Sequence, residues 1–121
     1  MATAPGKSKA FYVVEDSPFV LESWRWHFGD KLAGAFPDPQ SFLTFARTNP
    51  AAIANSVVIT DFEFEGDAVD GDAFCHQLKA EFPGVIVLLC SDHIFPAGDK
   101  AWFDGRIEKM PQAFDPTKYA P

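Results

Sequence analysis

Four short apolar runs in this chain each end on a residue able to do chemistry, and that recurrence limits what the chain can fold into. Residues 10–14 run into Glu15-Asp16, 56–60 into Asp61, and 85–90 into Ser91-Asp92, while 105–109 closes on Lys109. The runs are apolar at successive positions rather than at alternate ones, as in strands buried on both faces. Helical spacing lies between them. Ser17-Pro18 joins a good N-cap to a residue favoured at the first helical position, and Leu21, Trp24 and Phe28 follow before Gly29 as a stop. Asp38-Pro39 repeats the device ahead of Phe42, Phe45 and Ala46, in a helix that should end near Asn49-Pro50. Phe74, Leu78 and Phe82 mark a third helix, closed by Pro83-Gly84. Strands alternating with helices predict a parallel sheet with helices on both faces.

Other segments carry weaker signals. Residues 32–37 could form a short edge strand. Residues 63–72 read as an acidic loop with Gly66 and Gly71. Pro96 and Gly98 allow only a short or broken helix over 94–104, and Pro111, Pro116 and Pro121 speak against a long helix in 110–121.

The chain has 121 residues, enough for one domain, and is 47% hydrophobic with 13 Phe, so it has the apolar surface to fold. Its formal net charge of -7 opposes direct binding to a phosphate backbone by this domain, which leaves open a nucleic-acid-binding partner domain in a longer parent chain. Cys75 and Cys90 sit in apolar runs and read as reduced core thiols. No apolar stretch reaches membrane-spanning length, and residues 1–9 lack a signal-peptide pattern, so a cytoplasmic location is expected. His27, His76 and His93 do not pair at metal-ligand spacing. Trp24 and Trp26 fall on different faces of one helix, so one of them should be exposed and is a candidate partner contact.

In parallel sheets of this kind functional groups collect at the carboxyl ends of the strands. Glu15, Asp16, Asp61, Ser91 and Lys109 all fall there. One acid at a strand end is often only a cap for the next helix, and Asp16 alone could be that. Asp61 cannot, because the nearest helix pattern begins about ten residues later, beyond capping reach. Grouped carboxylates repel one another and invite a cation. Mg²⁺ takes a few carboxylates together with water and phosphate oxygens.

The ordered set of an acid pair, a central Asp, a Ser and a Lys, each after an apolar strand, resembles the receiver domain of response regulators (the CheY-like family). The carrying segments are Phe11-Tyr12-Val13-Val14-Glu15-Asp16-Ser17, Val58-Ile59-Thr60-Asp61, Val87-Leu88-Leu89-Cys90-Ser91 and Phe103-Asp104-Gly105-Arg106-Ile107-Glu108-Lys109, with Asp70-Gly71 as a further match. The resemblance implies a flavodoxin-like doubly wound α/β fold: five parallel strands in the order 2-1-3-4-5, a short fourth helix, and a fifth that is truncated or missing. Residues 1–8 would be a flexible N-terminus and 9–121 the domain, with 110–121 an irregular tail. Asp61 would be the phosphoacceptor. Glu15, Asp16, Asp61 and the backbone carbonyl of Glu63 would hold Mg²⁺. Ser91 would hydrogen-bond a phosphoryl oxygen, and Lys109 would pair with the phosphoryl group or with the empty Asp61. The implied partner is a sensor histidine kinase or histidine phosphotransfer protein, often met on the first helix, with a homodimer as a further candidate. The chemistry would be limited to self-catalysed phosphoryl transfer and autodephosphorylation.

The sequence also departs from the family pattern. Phe64-Glu65 stands where Met-Pro is usual, in a lengthened loop that adds Glu63, Glu65 and Asp67. Asp92 follows Ser91 where a small residue is usual, Arg106 replaces the switch aromatic of the last strand, and Met110 separates Lys109 from Pro111. These changes favour a second reading, a pseudo-receiver that binds partners without being switched by phosphorylation. The altered fourth and fifth helices suggest that any signal leaves by another face. A haloacid-dehalogenase-like phosphatase would need a second Asp two residues after the nucleophile, where this chain has Glu63.

Overall fold

The computed structural model describes residues 10–61, 71–90 and 104–107, apart from the side chains of residues 61, 71, 72, 105 and 106. The elements are β1 (Ala10–Val14), α1 (Pro18–Phe28), β2 (Leu32–Phe36), α2 (Pro39–Thr48), α3 (Pro50–Ala54), β3 (Ser56–Asp61), α4 (Gly71–Glu81), β4 (Ile86–Cys90) and β5 (Gly105–Ile107). A single 3-10 turn, Gly29–Lys31, joins α1 to β2. The sheet order is β2-β1-β3-β4-β5 and every pairing is parallel. The five-strand order expected from the sequence is therefore found. The expectations for residues 1–8 and 110–121, for the helix over 94–104 and for the fifth helix lie outside the described residues.

Alternation along each strand divides the interior into two cores. Phe11 and Val13 of β1, Val57 and Ile59 of β3, and Leu88 and Cys90 of β4 pack with Leu21, Trp24 and Phe28 of α1. Tyr12, Val14, Val58, Val87 and Leu89 face the other way, against Phe42, Leu43 and Ala46 of α2, Ile53 of α3, and Phe74, Cys75 and Leu78 of α4. This is why the strand runs are apolar throughout. Cys75 and Cys90 are buried, one in each of these two cores. Tyr12 lies under Phe42 and Phe45, at ring-centroid separations of 5.8 and 5.7 Å, and burial raises its hydroxyl pKa above the usual 10.0.

The helix ends follow from local chemistry. Ser17 caps α1, its Oγ accepting from the Val20 N–H at 3.4 Å, and Pro18 occupies the first turn. Asp38 caps α2, its Oδ1 accepting from the Ser41 N–H at 2.7 Å. Gly29 ends α1 at φ 55 and ψ -127, a conformation that side-chain-bearing residues avoid. The sequence pattern missed one helix. It read Asn49-Pro50 as a stop, yet the same pair starts α3. Pro50 supplies a preset φ at the first helical position, and the Asn49 carbonyl accepts from the Ile53 N–H at 3.2 Å. One face of this short turn, Ile53, is fully buried. Gly84 passes so close that a Cβ there would lie 2.6 Å from the Ala54 carbonyl oxygen.

Two polar clips tie elements together. Lys79 of α4 donates through Nζ to the Val85 carbonyl and to Asp104 Oδ2, both at 2.8 Å. Asp104 Oδ2 also accepts from the Val87 N–H at 2.7 Å, while the Asp104 N–H donates to the Val87 carbonyl at 2.7 Å. That clip fixes the start of β5 against β4. On the other side Arg47 of α2 makes a two-pronged bond to Glu81 of α4, at 3.0 and 2.8 Å.

Candidate functional site

The sheet register decides which acids can meet. Val14 pairs with Thr60, Thr60 with Leu89, and Asp61 with Cys90. Glu15 is thus one step beyond β1 at the level where Asp61 ends β3. Neighbouring strands are about 4.8 Å apart, so the β1 and β3 ends lie side by side on the carboxyl rim. Both β1 and β3 are central strands, which leaves this rim at the middle of the sheet.

Glu15 is 1% exposed, an unusual state for a carboxylate. Its backbone N–H donates to the Phe36 carbonyl at 2.9 Å, extending the β1–β2 ladder by one residue. Its Oε2 accepts from the Ser17 N–H at 3.1 Å. Ser17 in turn caps α1, so the acid orders the turn and the turn starts the helix. Asp16 stands between them, half-buried. Asp16 does not cap α1, since that position belongs to Ser17. Thr60, immediately before Asp61, is fully buried.

The structure therefore brings the main-chain positions of Glu15, Asp16 and Asp61 to one rim. The Asp61 side chain, Glu63, Ser91 and Lys109 lie outside what is described, as do Asp92, the acidic loop over 63–70 and the Arg106 side chain. Cys90 ends β4 beside Asp61 on that same rim. Among the described residues no three His, Cys, Asp or Glu side chains form a metal centre. The donors present at the rim, the carboxylates of Glu15 and Asp16, are all hard oxygens and fit Mg²⁺ rather than a soft metal.

A second surface feature belongs to α1. Trp24 is buried, whereas Trp26 is 86% exposed. Phe19, which the sequence reading did not single out, is 82% exposed. Its signal was available, because it lies seven residues before Trp26 and hence on the same side of the helix.

No protein-family model matches the sequence, and no curated protein matches it. Solved structures do match in fold. RcsB from Salmonella enterica serovar Typhimurium, bound to promoter rprA in the presence of the phosphomimetic BeF3-, superposes with a TM-score of 0.64 at 23% identity. That match covers 86% of this chain and 61% of the RcsB chain, so this chain spans about three-fifths of that relative's length. The N-terminal domain of a response regulator receiver protein from Methanoculleus marisnigri JR1 gives a TM-score of 0.68 at 15% identity, covering 82% of each chain. The signal receiver domain of NarL from Mycobacterium tuberculosis gives 0.66 at 20% identity, covering 93% of this chain and 90% of that one. The fold is that of response-regulator receiver domains. Among the described residues no helix is long and apolar enough to cross a membrane.

Proposed function

We propose that this chain, having the receiver-domain fold, is the phosphoacceptor module of a two-component signalling pathway, taking a phosphoryl group on Asp61 from a phosphohistidine donor. What supports this reading is the register just described: β1 and β3 are adjacent central strands that end level with each other, one at Glu15-Asp16 and the other at Asp61.

A carboxylate oxygen of Asp61 would attack phosphorus. The P–N bond of the donor breaks, its electron pair returns to the imidazole, and the leaving ring gains a proton. Glu15, Asp16, Asp61 and the Glu63 carbonyl would hold Mg²⁺, which supplies charge neutralisation for the transferring group. Ser91 would donate its hydroxyl hydrogen to a phosphoryl oxygen. Lys109 would pair with the phosphoryl group and, before transfer, with Asp61. Attack by water on the aspartyl phosphate would release phosphate and restore the carboxylate, so no separate substrate is turned over. The donor protein is a sensor histidine kinase or a histidine phosphotransfer protein. The acidic charge speaks against nucleic-acid contact by this domain itself.

Beryllium fluoride with Mg²⁺ tests this, because the fluoride complex stands in for a phosphoryl group on a carboxylate. Saturable binding, followed by tryptophan fluorescence or amide shifts, and its loss in Asp61→Asn are the expected results. No response at millimolar Mg²⁺ would refute the reading. That outcome would favour the pseudo-receiver, for which Arg106 and Asp92 are the specific observations: a cation does not move inward as cheaply as an aromatic ring, and an added acid opposes a dianion.

A further inference from the structure

Helix α1 carries two large apolar side chains that neither core takes up. Leu21, Trp24 and Phe28 face the sheet, whereas Phe19 and Trp26 project from the opposite side. Together with Glu22, Ser23 and His27 they line an open groove of about 410 Å³. Burying a Phe side chain is worth about 1.5–3 kcal/mol, so two adjacent exposed aromatics mark a surface that gains from being covered.

We propose that the occupant is a second copy of this chain, its α1 laid antiparallel along the first across a two-fold axis near Glu22-Ser23. Three observations favour this choice. The patch is self-complementary. Phe19 and Trp26 stand at equal distances either side of the midpoint between Glu22 and Ser23, so a two-fold contact sets each Phe19 against Trp26 of the partner subunit. An isologous interface requires this kind of symmetry. The seven-residue spacing is also that of a helix–helix seam.

The second observation is charge. The chain carries -7, so two copies repel at long range. The α1 face is locally balanced, because Glu22 and Arg25 pair at 2.6 Å with both side chains about half exposed. In the antiparallel arrangement Arg25 lies within a turn of Glu22 of the partner subunit, so the same two bonds can form across the axis with no net charge brought into contact.

The third is area. Aromatic side chains bury about 150–250 Å² each, so four rings remove roughly 600–1,000 Å². Stable specific interfaces begin at about 1,200 Å². The rings and their polar rim therefore suit a weak dimer that forms as concentration rises. This inference is independent of phosphoryl transfer and stands or falls separately from it.

Sedimentation equilibrium of the whole chain, from about 10 µM to about 1 mM, tests the proposal. The weight-average mass should climb from 13.3 kDa towards twice that value. Phe19→Glu and Trp26→Glu should keep the monomer mass with an unchanged circular dichroism spectrum, since neither side chain supports a core. The charge exchange is the sharper arm. Glu22→Arg alone and Arg25→Glu alone place like charges across the axis and should be monomeric, whereas an equimolar mixture of the two should regain the dimer. A wild-type chain that stays monomeric throughout, or a mixture that fails to regain the dimer, would overturn it. So would a phosphotransfer protein that binds through Phe19 and Trp26 while the free chain remains monomeric.

Discussion

Glu15 holds Ser17: its carboxylate accepts the Ser17 N–H at 3.1 Å, two residues along the turn that leads from the central strand into α1. The acid proposed to face the cation is therefore also a support for the first helix, and the two roles can be pulled apart. Glu15→Gln keeps an oxygen acceptor for that N–H but removes the charge. It should lower Mg²⁺ affinity by about tenfold or more, equivalent to about 1.4 kcal/mol, with little change in melting temperature. Glu15→Ala should lose both, adding about 1–3 kcal/mol of destabilisation for the donor left unpaired. Calorimetric Mg²⁺ titration and thermal unfolding measured on both variants decide the matter. Asp16→Ala should weaken Mg²⁺ binding alone; an unchanged affinity would refute its metal role.

The Lys79–Asp104 clip anchors the start of β5, which among the described residues has only β4 as a strand neighbour. Asp104→Ala leaves the Val87 N–H and the Lys79 ammonium without their shared acceptor, and should cost about 1–3 kcal/mol in urea unfolding. Asp104→Asn retains an oxygen for Val87 and should cost less. Equal losses in the two variants would show that the charge, not the backbone bond, is what matters.

Stability should depend on acid through Glu81. The hydrogen bond from Arg47, reinforced by Gln77 and opposed by slight burial, lowers the Glu81 carboxyl below its ordinary 4.5. A depressed folded-state value means that the contribution is complete above the unfolded value and is lost as pH falls through the folded one. The difference in denaturation midpoint between wild type and Arg47→Gln should thus be greatest near neutral pH, start to shrink as pH drops below about 4.5, and vanish in stronger acid. It should also fade with added salt, because the pair is exposed.

Gly29 and Gly84 are irreplaceable for different reasons. At Gly29 a Cβ would meet nothing within 4 Å, so Gly29→Ala isolates the cost of forcing a side-chain-bearing residue into φ 55, ψ -127, about 1–3 kcal/mol. At Gly84 the backbone conformation is not the obstacle. There a Cβ would collide with the Ala54 carbonyl, so Gly84→Ala should shift amide resonances in α3 as well as lower stability, whereas Gly29→Ala should leave α3 undisturbed.

The sheet was legible because β1, β3 and β4 are buried on both faces, and Phe11 to Val14, Val57 to Ile59 and Val87 to Cys90 have no polar position to obscure them. Ser17-Pro18 and Asp38-Pro39 announced two helices because capping is local chemistry. Asn49-Pro50 was read correctly as the end of α2, but its second role as the start of α3 was missed, because a proline that ends one helix serves equally well as the first residue of another and only the burial of Ile53 shows it. Glu15-Asp16 and Asp61 were legible as acids closing two apolar runs that turn out to be neighbouring strands. The depth of Glu15 and its hold on Ser17 were not, since burial depends on neighbours far along the chain. Trp26 could be suspected from helix phase alone, but Phe19 needed the whole face to be seen together.

The place of β1 between β2 and β3 bears on how the chain can be made. Its inner edge has no lasting hydrogen-bond partner until residues 56–61 are available, since Phe11 pairs with Val57. During synthesis the first strand must therefore wait, with one row of amides facing water, for about a fifth more of the polypeptide after β2 has formed, up to residue 61 of 121. Closing so long a loop carries an entropic cost before any contact repays it. The central rim cannot assemble before residue 61 is made, and a nascent chain halted before residue 56 would carry an unfinished, sticky edge.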